Sequence, residues 1–268
     1  MSAIFALANQ KGGVAKTTTT GILAAGLKKQ GFSVLTIDCD PQGNLSMSVA
    51  AENQDSATMY EVMKGTVSAR EAIQHTPSCD IIPANTILAG IEQELHNVGK
   101  EMTLREKLRD EQTGVAEEYD YILIDCPPSL ELLTINALVA ADSVLIPVQC
   151  EYYALEGIAD LMRSIKMCNK RLNPELTVQG IVMTMYDGRT KLSDQVVNEV
   201  RKFFGKKVYK TMIPRNVRLS EAPSHRKPAI AYDKESKGAR AYLHLAGELI
   251  KREEKAAKAA AAAEVEHG

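Results

Sequence analysis

Short apolar runs recur along the chain, and stretches of helical length separate them. The first run reads Ala3-Ile4-Phe5-Ala6-Leu7-Ala8 without polar alternation, which is typical of a strand buried on both faces. Similar runs occupy residues 34–37, 121–124, 144–148 and 178–183. Strands that alternate with helices predict an α/β fold with a doubly wound, mostly parallel sheet flanked by helices.

One domain is predicted for residues 1–250, because neither a linker-like stretch nor an internal repeat interrupts them. Residues 251–268 consist mainly of alanine and charged residues, which predicts a helical tail. This tail lacks the bulky apolar face of an interfacial membrane helix. Since the chain also has no run of transmembrane length and no room for a signal peptide before its first strand, a cytoplasmic protein without a membrane partner is expected.

The first apolar run leads into a glycine-rich loop with a lysine at each end, followed by a helix-like segment that Gly31 ends. Strand, glycine-rich turn and helix form the context of a phosphate-binding loop, in which backbone N–H groups and a lysine hold phosphates. A turn with two solvated lysines is the alternative interpretation. The predicted nucleotide-binding residues are Lys11, Gly12, Gly13, Val14, Ala15, Lys16, Thr17 and Thr18.

Two positions of this loop are unusual. Lys16 and Thr17 already supply the phosphate-binding cation and the Mg²⁺-binding hydroxyl, so Lys11 is a surplus charge at the loop entrance. We expect its side chain to reach a nucleotide held by a facing subunit, which predicts an ATP-bound homodimer. Ala15 stands where glycine is usual; if it needs a positive φ, its Cβ costs on the order of 1 kcal/mol.

Carboxylates follow two further predicted strands: Asp38 and Asp40 after the second apolar run, and Asp125 after the third. Ligands of doubly wound sheets lie outside the carboxyl ends of the strands, so these acids should face the crevice of the phosphate loop. Asp125 is the predicted Mg²⁺ ligand together with Thr17, and Asp38 is expected to support the Mg²⁺ shell. Asp40 is expected to orient the attacking water, or alternatively only to cap its turn. The predicted catalytic residues are Lys11, Lys16, Asp40 and Asp125.

The formal net charge of −2 hides an asymmetry. Residues 163–252 contain 20 Lys and Arg against 8 Asp and Glu, whereas the rest of the chain contains 12 against 26. Such a basic block often forms solvated helix faces, but it also suits an acidic partner, nucleic acid above all. The five cysteines include no C-x-x-C pair, which is typical of reduced thiols in a cytosolic protein.

Three blocks together, residues 11–18, 38–44 and 125–129, resemble the deviant Walker A P-loop ATPases of the ParA/Soj family, which partition chromosomes and plasmids. The resemblance extends through residues 187–190 and 214–224 and covers about residues 1–250. No N-terminal DNA-binding extension is present, so the chain resembles the short, Soj-like type.

The resemblance implies further roles. Pro214 and Asn216 match positions that line the adenine pocket. Arg189 and Arg218 match arginines that bind double-stranded DNA without sequence specificity. Lys227, Lys237 and Arg240 are expected to widen that surface. A ParB/Spo0J-like partner that stimulates ATP hydrolysis, and association with the nucleoid, are implied as well.

Three other functions remain as alternatives. A MinD-like positioning ATPase usually carries an amphipathic membrane helix, which this tail does not resemble. An electron-transfer ATPase like the nitrogenase iron protein needs cysteines that hold an iron–sulfur cluster between subunits, and Cys126 and Cys150 have no suitable setting. A P-loop ligase or kinase of small-molecule metabolism needs an acceptor pocket that no motif defines.

Overall fold

The computed structural model describes residues 2–51, 56–96 and 98–267, the side chains of residues 260 and 263–267 excepted. The described residues form a seven-stranded sheet. Its strands are β1 (Ala3–Leu7), β2 (Val34–Asp38), β3 (Gln74–His75), β4 (Asp80–Ile82), β5 (Tyr121–Asp125), β6 (Ser143–Gln149) and β7 (Thr177–Thr184).

The strand order is β3-β4-β2-β5-β1-β6-β7, and every pair is parallel except β3 with β4. The predicted doubly wound, mostly parallel sheet is therefore confirmed, and the five apolar runs are its five longer strands. The sequence reading missed β3 and β4. Both are only two or three residues long, which is too short to show a periodic pattern.

Helices cover both faces of the sheet. They are α1 (Lys16–Lys29), α2 (Asn44–Ser48), α3 (Met59–Lys64), α4 (Ile91–Glu94), α5 (Thr103–Arg109), α6 (Leu132–Ala140), α7 (Ala154–Arg171), α8 (Lys191–Phe204), α9 (Val217–Glu221), α10 (Ala229–Tyr232) and α11 (Lys237–His267).

Alternate residues of each strand enter two separate cores. On β1, Ile4 and Ala6 pack into the core beneath α5 to α8, whereas Phe5 and Leu7 pack into the core beneath α1 and α11. This division follows from the two-residue repeat of a strand, and it explains why the run is apolar throughout.

The carboxyl ends of β2, β5 and β1 meet at one edge, because β5 lies between the other two strands. Asp125 at the end of β5 is in register with Leu7 on one side and with Asp38 on the other. The loops that follow these three strands therefore open into one crevice, as the topology rule requires.

The tail continues α11, which crosses the predicted boundary at residue 250 without interruption and extends to His267. Its earlier part packs closely on α1: a Cβ added to Gly26 would lie 3.3 Å from the Cβ of Ala246. The division into residues 1–250 and 251–268 stays a prediction. In the described part of the chain, no helix combines the length and the apolarity that crossing a membrane requires.

Candidate nucleotide site and basic surface

The loop between β1 and α1 has the backbone of a phosphate-binding loop. Gly13 and Ala15 both adopt positive φ, 73° and 70°, and Ala15 occupies the N-cap of α1 without a side-chain hydrogen bond to the helix. The first turn also contains no acidic residue. An uncapped helix N-terminus offers free N–H groups and a positive dipole end to an anion.

Lys16 is the cation of this loop and is buried. Its Nζ donates to the Lys11 carbonyl at 3.3 Å. Burial lowers the pKa of Lys16, although nearby Asp125 opposes this change. A phosphate group would supply the negative charge that a desolvated ammonium needs.

Asp125 is fully buried at the end of β5. Its Oδ1 accepts a hydrogen bond from the Thr20 hydroxyl at 3.1 Å. Its Oδ2 makes no hydrogen bond within the described part of the chain. Burial, and to a lesser extent Asp38, raise the pKa of Asp125 to about 8, although the hydroxyls of Thr17 and Thr20 oppose the rise. An oxygen that is desolvated and unpartnered fits a carboxylate that binds a hydrated cation.

Asp38 is also fully buried, but both of its oxygens accept hydrogen bonds. Oδ1 accepts from the Asp40 backbone at 3.1 Å. Oδ2 accepts from the backbone and the hydroxyl of Ser46 at 2.9 and 2.8 Å. Burial raises the pKa of Asp38 to about 6. The contacts give Asp38 a structural task in the loop after β2, while its support of the Mg²⁺ shell stays a prediction.

The contacts of Asp40 show its capping role, while its role in orienting the attacking water stays a prediction. Its Oδ1 accepts from the Gln42 backbone at 3.0 Å, and its carbonyl accepts from Gly43 at 2.9 Å, so it does cap its turn. It also lines the same cavity as Lys16 and Thr17. Capping therefore holds the carboxylate at the edge of the phosphate site.

Lys11 lies outside that cavity. Its Nζ is 2.7 Å from Glu151 Oε2, on the segment that follows β6, and both side chains are partly exposed. In this chain the Lys11 side chain therefore pairs with Glu151, and its contact with the nucleotide of a second chain stays a prediction. The sequence analysis missed Glu151, which lies two residues beyond the end of β6.

Two adjoining cavities provide the nucleotide volume. One of about 730 Å³ is lined by the phosphate loop from Gly12 to Thr18, by Asp40 and by Pro223. The other, of about 510 Å³, is lined by Pro214, Asn216 and Tyr242. The volumes of both cavities fall within the range that is usual for small-molecule sites. Residues shared by the two cavities are Ala15, Thr18, Met185 and Pro223.

The five predicted DNA-contacting cations are all exposed. Arg189 donates to Asp187 through Nε at 2.9 Å and Nη2 at 2.7 Å. Arg218 pairs with Glu221 at 2.9 Å and lies 3.6 Å from Asp233. The remaining three are Lys227, Lys237 and Arg240, and they lie on segments close to α9, because α9 and α10 both pack against the start of α11.

Comparison with known proteins identifies the family. A family model described as an AAA domain matches residues 2–178. The sporulation initiation inhibitor protein Soj of Bacillus subtilis is 50% identical over 253 residues, which cover 93% of this chain and 98% of that protein. The chain belongs to the ParA/Soj family of chromosome-partitioning ATPases. The chromosome partitioning protein ParA of Caulobacter vibrioides is 49% identical over 263 residues, which cover 96% of this chain and 97% of that protein.

The fold is shared with a solved structure of cobyrinic acid a,c-diamide synthase from Mycobacterium smegmatis with bound ADP and magnesium. The two chains have a TM-score of 0.83 and are 36% identical, and the match covers 95% of this chain and 96% of the synthase. The family, the fold class and the ATPase activity predicted from the sequence are confirmed. The roles of individual residues stay predictions.

Proposed function

We propose that this ParA/Soj-family ATPase is an ATP-controlled dimer that binds double-stranded DNA without sequence specificity during chromosome partition. The observation that carries the proposal is the separation of the two loop lysines: Lys16 lies in the phosphate cavity, whereas Lys11 lies outside it. A surplus cation at the mouth of a nucleotide site suits the phosphates of a second chain.

ATP and Mg²⁺ fit the cavity pair, and the related synthase with ADP and magnesium supports both cofactors. Lys16 and the backbone of residues 12–18 would hold the phosphates, and the smaller cavity with Pro214 and Asn216 would take the base. The Thr17 hydroxyl and Asp125 Oδ2 would hold Mg²⁺. Mg²⁺, when bound, supplies charge neutralisation at the phosphates.

Hydrolysis requires a water placed in line with the terminal phosphate bond. Asp40 lies at the edge of the phosphate cavity with its backbone fixed by Asp38. We assign to its carboxylate the orientation of that water. Lys16, and Lys11 of a second copy of this chain, would stabilise the negative charge on the transferred group.

Dimerisation is tested by size-exclusion chromatography of an Asp40→Ala variant, in which ATP persists. We expect a dimer with ATP and a monomer with ADP. Adding Lys11→Gln should abolish the ATP-dependent dimer, whereas Lys29→Gln, an exposed lysine at the far end of α1, should not. An Asp40→Ala protein that stays monomeric when saturated with ATP would falsify the proposal.

DNA binding is expected only with ATP, because a dimer presents two basic surfaces at once and affinity rises steeply with the number of phosphate contacts. Arg189→Glu and Arg218→Glu should each reduce ATP-dependent DNA affinity at least tenfold, because each substitution changes the charge of the chain by two units and removes a phosphate contact. Lys29→Glu serves as the charge-matched control. Equal DNA affinity with and without ATP would count against the proposed switch.

A partner of the ParB/Spo0J type is proposed to stimulate hydrolysis and thereby release the DNA. With such a partner the ATPase would act on the nucleoid in the cytoplasm. Added partner should increase ATP turnover by wild-type protein but not by Asp40→Ala.

The alternatives make different demands on the chain. A cluster held between subunits, as in a nitrogenase-like iron protein, needs accessible thiolates, whereas Cys126 and Cys150 are buried and their burial raises the pKa of each thiol. A synthase-like enzyme would show ATP turnover that depends on an organic acid acceptor. A MinD-like protein would bind lipid vesicles in the presence of ATP.

A further inference from the structure

The loop that carries Asp40 is fastened to the backbone of one residue, Ala84, which follows β4. The Ala84 N–H donates to Ser46 Oγ at 3.0 Å. The Ala84 carbonyl faces Gly43, where φ is +62° and an added Cβ would lie 2.8 Å from the carbonyl oxygen. The end of the loop at Gly43 and the first turn of α2 at Ser46 therefore both contact the backbone of Ala84.

Ser46 also continues this contact toward the phosphate site. Its hydroxyl donates to Asp38 Oδ2 at 2.8 Å, and Asp38 Oδ1 accepts the Asp40 backbone N–H at 3.1 Å. Ser46, Asp38 and Ala84 are each 0% exposed. A continuous buried chain of hydrogen bonds thus leads from Ala84 through Ser46 and Asp38 to Asp40.

The chemistry of this chain requires a hydroxyl. Ser46 Oγ must accept from an N–H and donate to a carboxylate at the same time, which among small side chains only serine and threonine can do. An alanine would leave the Ala84 N–H without its acceptor and Asp38 with one donor fewer. Buried polar groups without partners are strongly disfavoured, so the loop would shift.

We propose that Ser46 is a positioning residue for ATP hydrolysis, which fixes the Asp40 backbone against the end of β4. The proposal rests on the role assigned above to Asp40. Ser46 itself does not line the phosphate cavity, whereas its neighbours Asn44, Met47 and Ser48 do. Its loss should therefore affect the chemical step rather than the binding of ATP.

The first test is the kinetics of Ser46→Ala. We expect kcat to fall by about ten- to a hundredfold, as for other small displacements of a catalytic group, while KM for ATP stays within about twofold. Ser46→Thr retains the hydroxyl and should recover most of kcat. Ser143→Ala, a buried serine at the start of β6, is the control for loss of any buried hydroxyl.

A second variant breaks the same attachment at its other point. Gly43→Ala places a Cβ against the Ala84 carbonyl and should lower kcat in the same way with Ser46 intact. Gly31→Ala is the matched control, because Gly31 also has a positive φ, +95°, but an added Cβ there has no atom within 4 Å. It should cost stability without a selective loss of kcat.

Amide hydrogen exchange of the nucleotide-free protein provides a readout that is independent of activity. In Ser46→Ala the Ala84 and Asp40 amides should exchange at least tenfold faster than in wild type, and in Ser46→Thr they should remain protected. Unchanged protection of both amides, or wild-type kcat in both Ser46→Ala and Gly43→Ala, would overturn the proposal. Failure of the Asp40 role alone would appear separately, as normal hydrolysis by Asp40→Ala.

Discussion

At the scale of single residues, two buried carboxyl groups lie next to each other in the ligand-free site, and their ionisation is unfavourable there. Asp125 and Asp38 end neighbouring strands in register, and both are fully buried. Burial raises the pKa of Asp125 to about 8 and that of Asp38 to about 6. Carboxylates with perturbed pKa values in a cleft often mark functional sites. A bound cation would offset the free-energy cost of burying these two carboxylates in their ionised form.

This cost predicts that Asp125→Asn stabilises the protein without nucleotide and Mg²⁺. The folded carboxyl holds its proton up to about pH 8, while the unfolded one ionises near 3.8, so wild-type stability falls as pH rises between these values. The gain in melting temperature for Asp125→Asn should therefore be clearly larger at pH 8 than at pH 5. Differential scanning calorimetry at both pH values measures it.

Asp120→Asn is the control with the opposite sign. Hydrogen bonds from the backbone and hydroxyl of Ser33 lower the pKa of Asp120, so its ionised form contributes stability above its usual pKa. Asp120→Asn should lower the melting temperature at both pH 5 and pH 8. A pH-independent gain for Asp125→Asn would show that packing, and not ionisation, causes its effect.

At the scale of elements, the sequence predicts those parts of the site that local patterns encode. The phosphate loop follows from its glycines and lysines, and the positive φ of Ala15 follows from the glycine that usually stands there. Asp125 follows from the strand that precedes it. These features need only the order of residues along one strand–loop–helix unit.

Other contacts of the site depend on which strands become neighbours. Ser46 meets Ala84, 38 residues away, only because β4 lies beside β2. Glu151 meets Lys11 only because β6 lies beside β1. Since β4 has three residues and no recognisable period, no pattern in the sequence indicates the first of these pairs.

The loops that carry Arg189 and Arg218, the two arginines proposed to contact DNA, also depend on which elements become neighbours. Arg189 follows Met185, which lines both cavities, and Arg218 follows Asn216, which lines the base cavity. The two loops are joined, because Tyr186 pairs with Pro214 and accepts a hydrogen bond from the Arg215 backbone. A nucleotide bound in the two cavities would therefore contact both segments that carry these arginines.

Both arginines are paired with carboxylates, which would compete with DNA phosphate if the proposed DNA binding holds. We predict that Asp187→Asn raises the DNA affinity of the ATP-bound protein by roughly 1.4- to fivefold per chain, since exposed pairs contribute about 0.2–1 kcal/mol. The Arg189 side chain is 88% exposed, so the lower end applies at physiological salt. Fluorescence anisotropy with labelled duplex DNA at two salt concentrations measures the change.

The control for this prediction removes a carboxylate of equal charge from the same basic part of the chain. Glu199 is exposed on α8, and Glu199→Gln changes the net charge as Asp187→Asn does. An equal gain from both variants would attribute the effect to net charge and would refute a specific competition at Arg189.

At the scale of the whole molecule, the proposed dimerisation would exchange one ion pair of Lys11 for another. In the single chain Lys11 is paired with Glu151 at 2.7 Å, and the two side chains are 38% and 44% exposed. If Lys11 pairs with the nucleotide of a second copy, both Glu151 partners must be released per dimer. The exchange favours the dimer only when triphosphate offers more negative charge than the carboxylate.

Glu151→Gln should therefore tighten the ATP-bound dimer. Each exposed pair is worth about 0.2–1 kcal/mol, and two are lost per dimer, so the dimer dissociation constant should fall by about two- to thirtyfold in the Asp40→Ala background. Sedimentation velocity at low protein concentration measures it, with Glu156→Gln, an exposed acid on the nearby α7, as the control. A weaker dimer in Glu151→Gln would mean that Glu151 contributes to the interface itself, and the pair with Lys11 would then not restrain association.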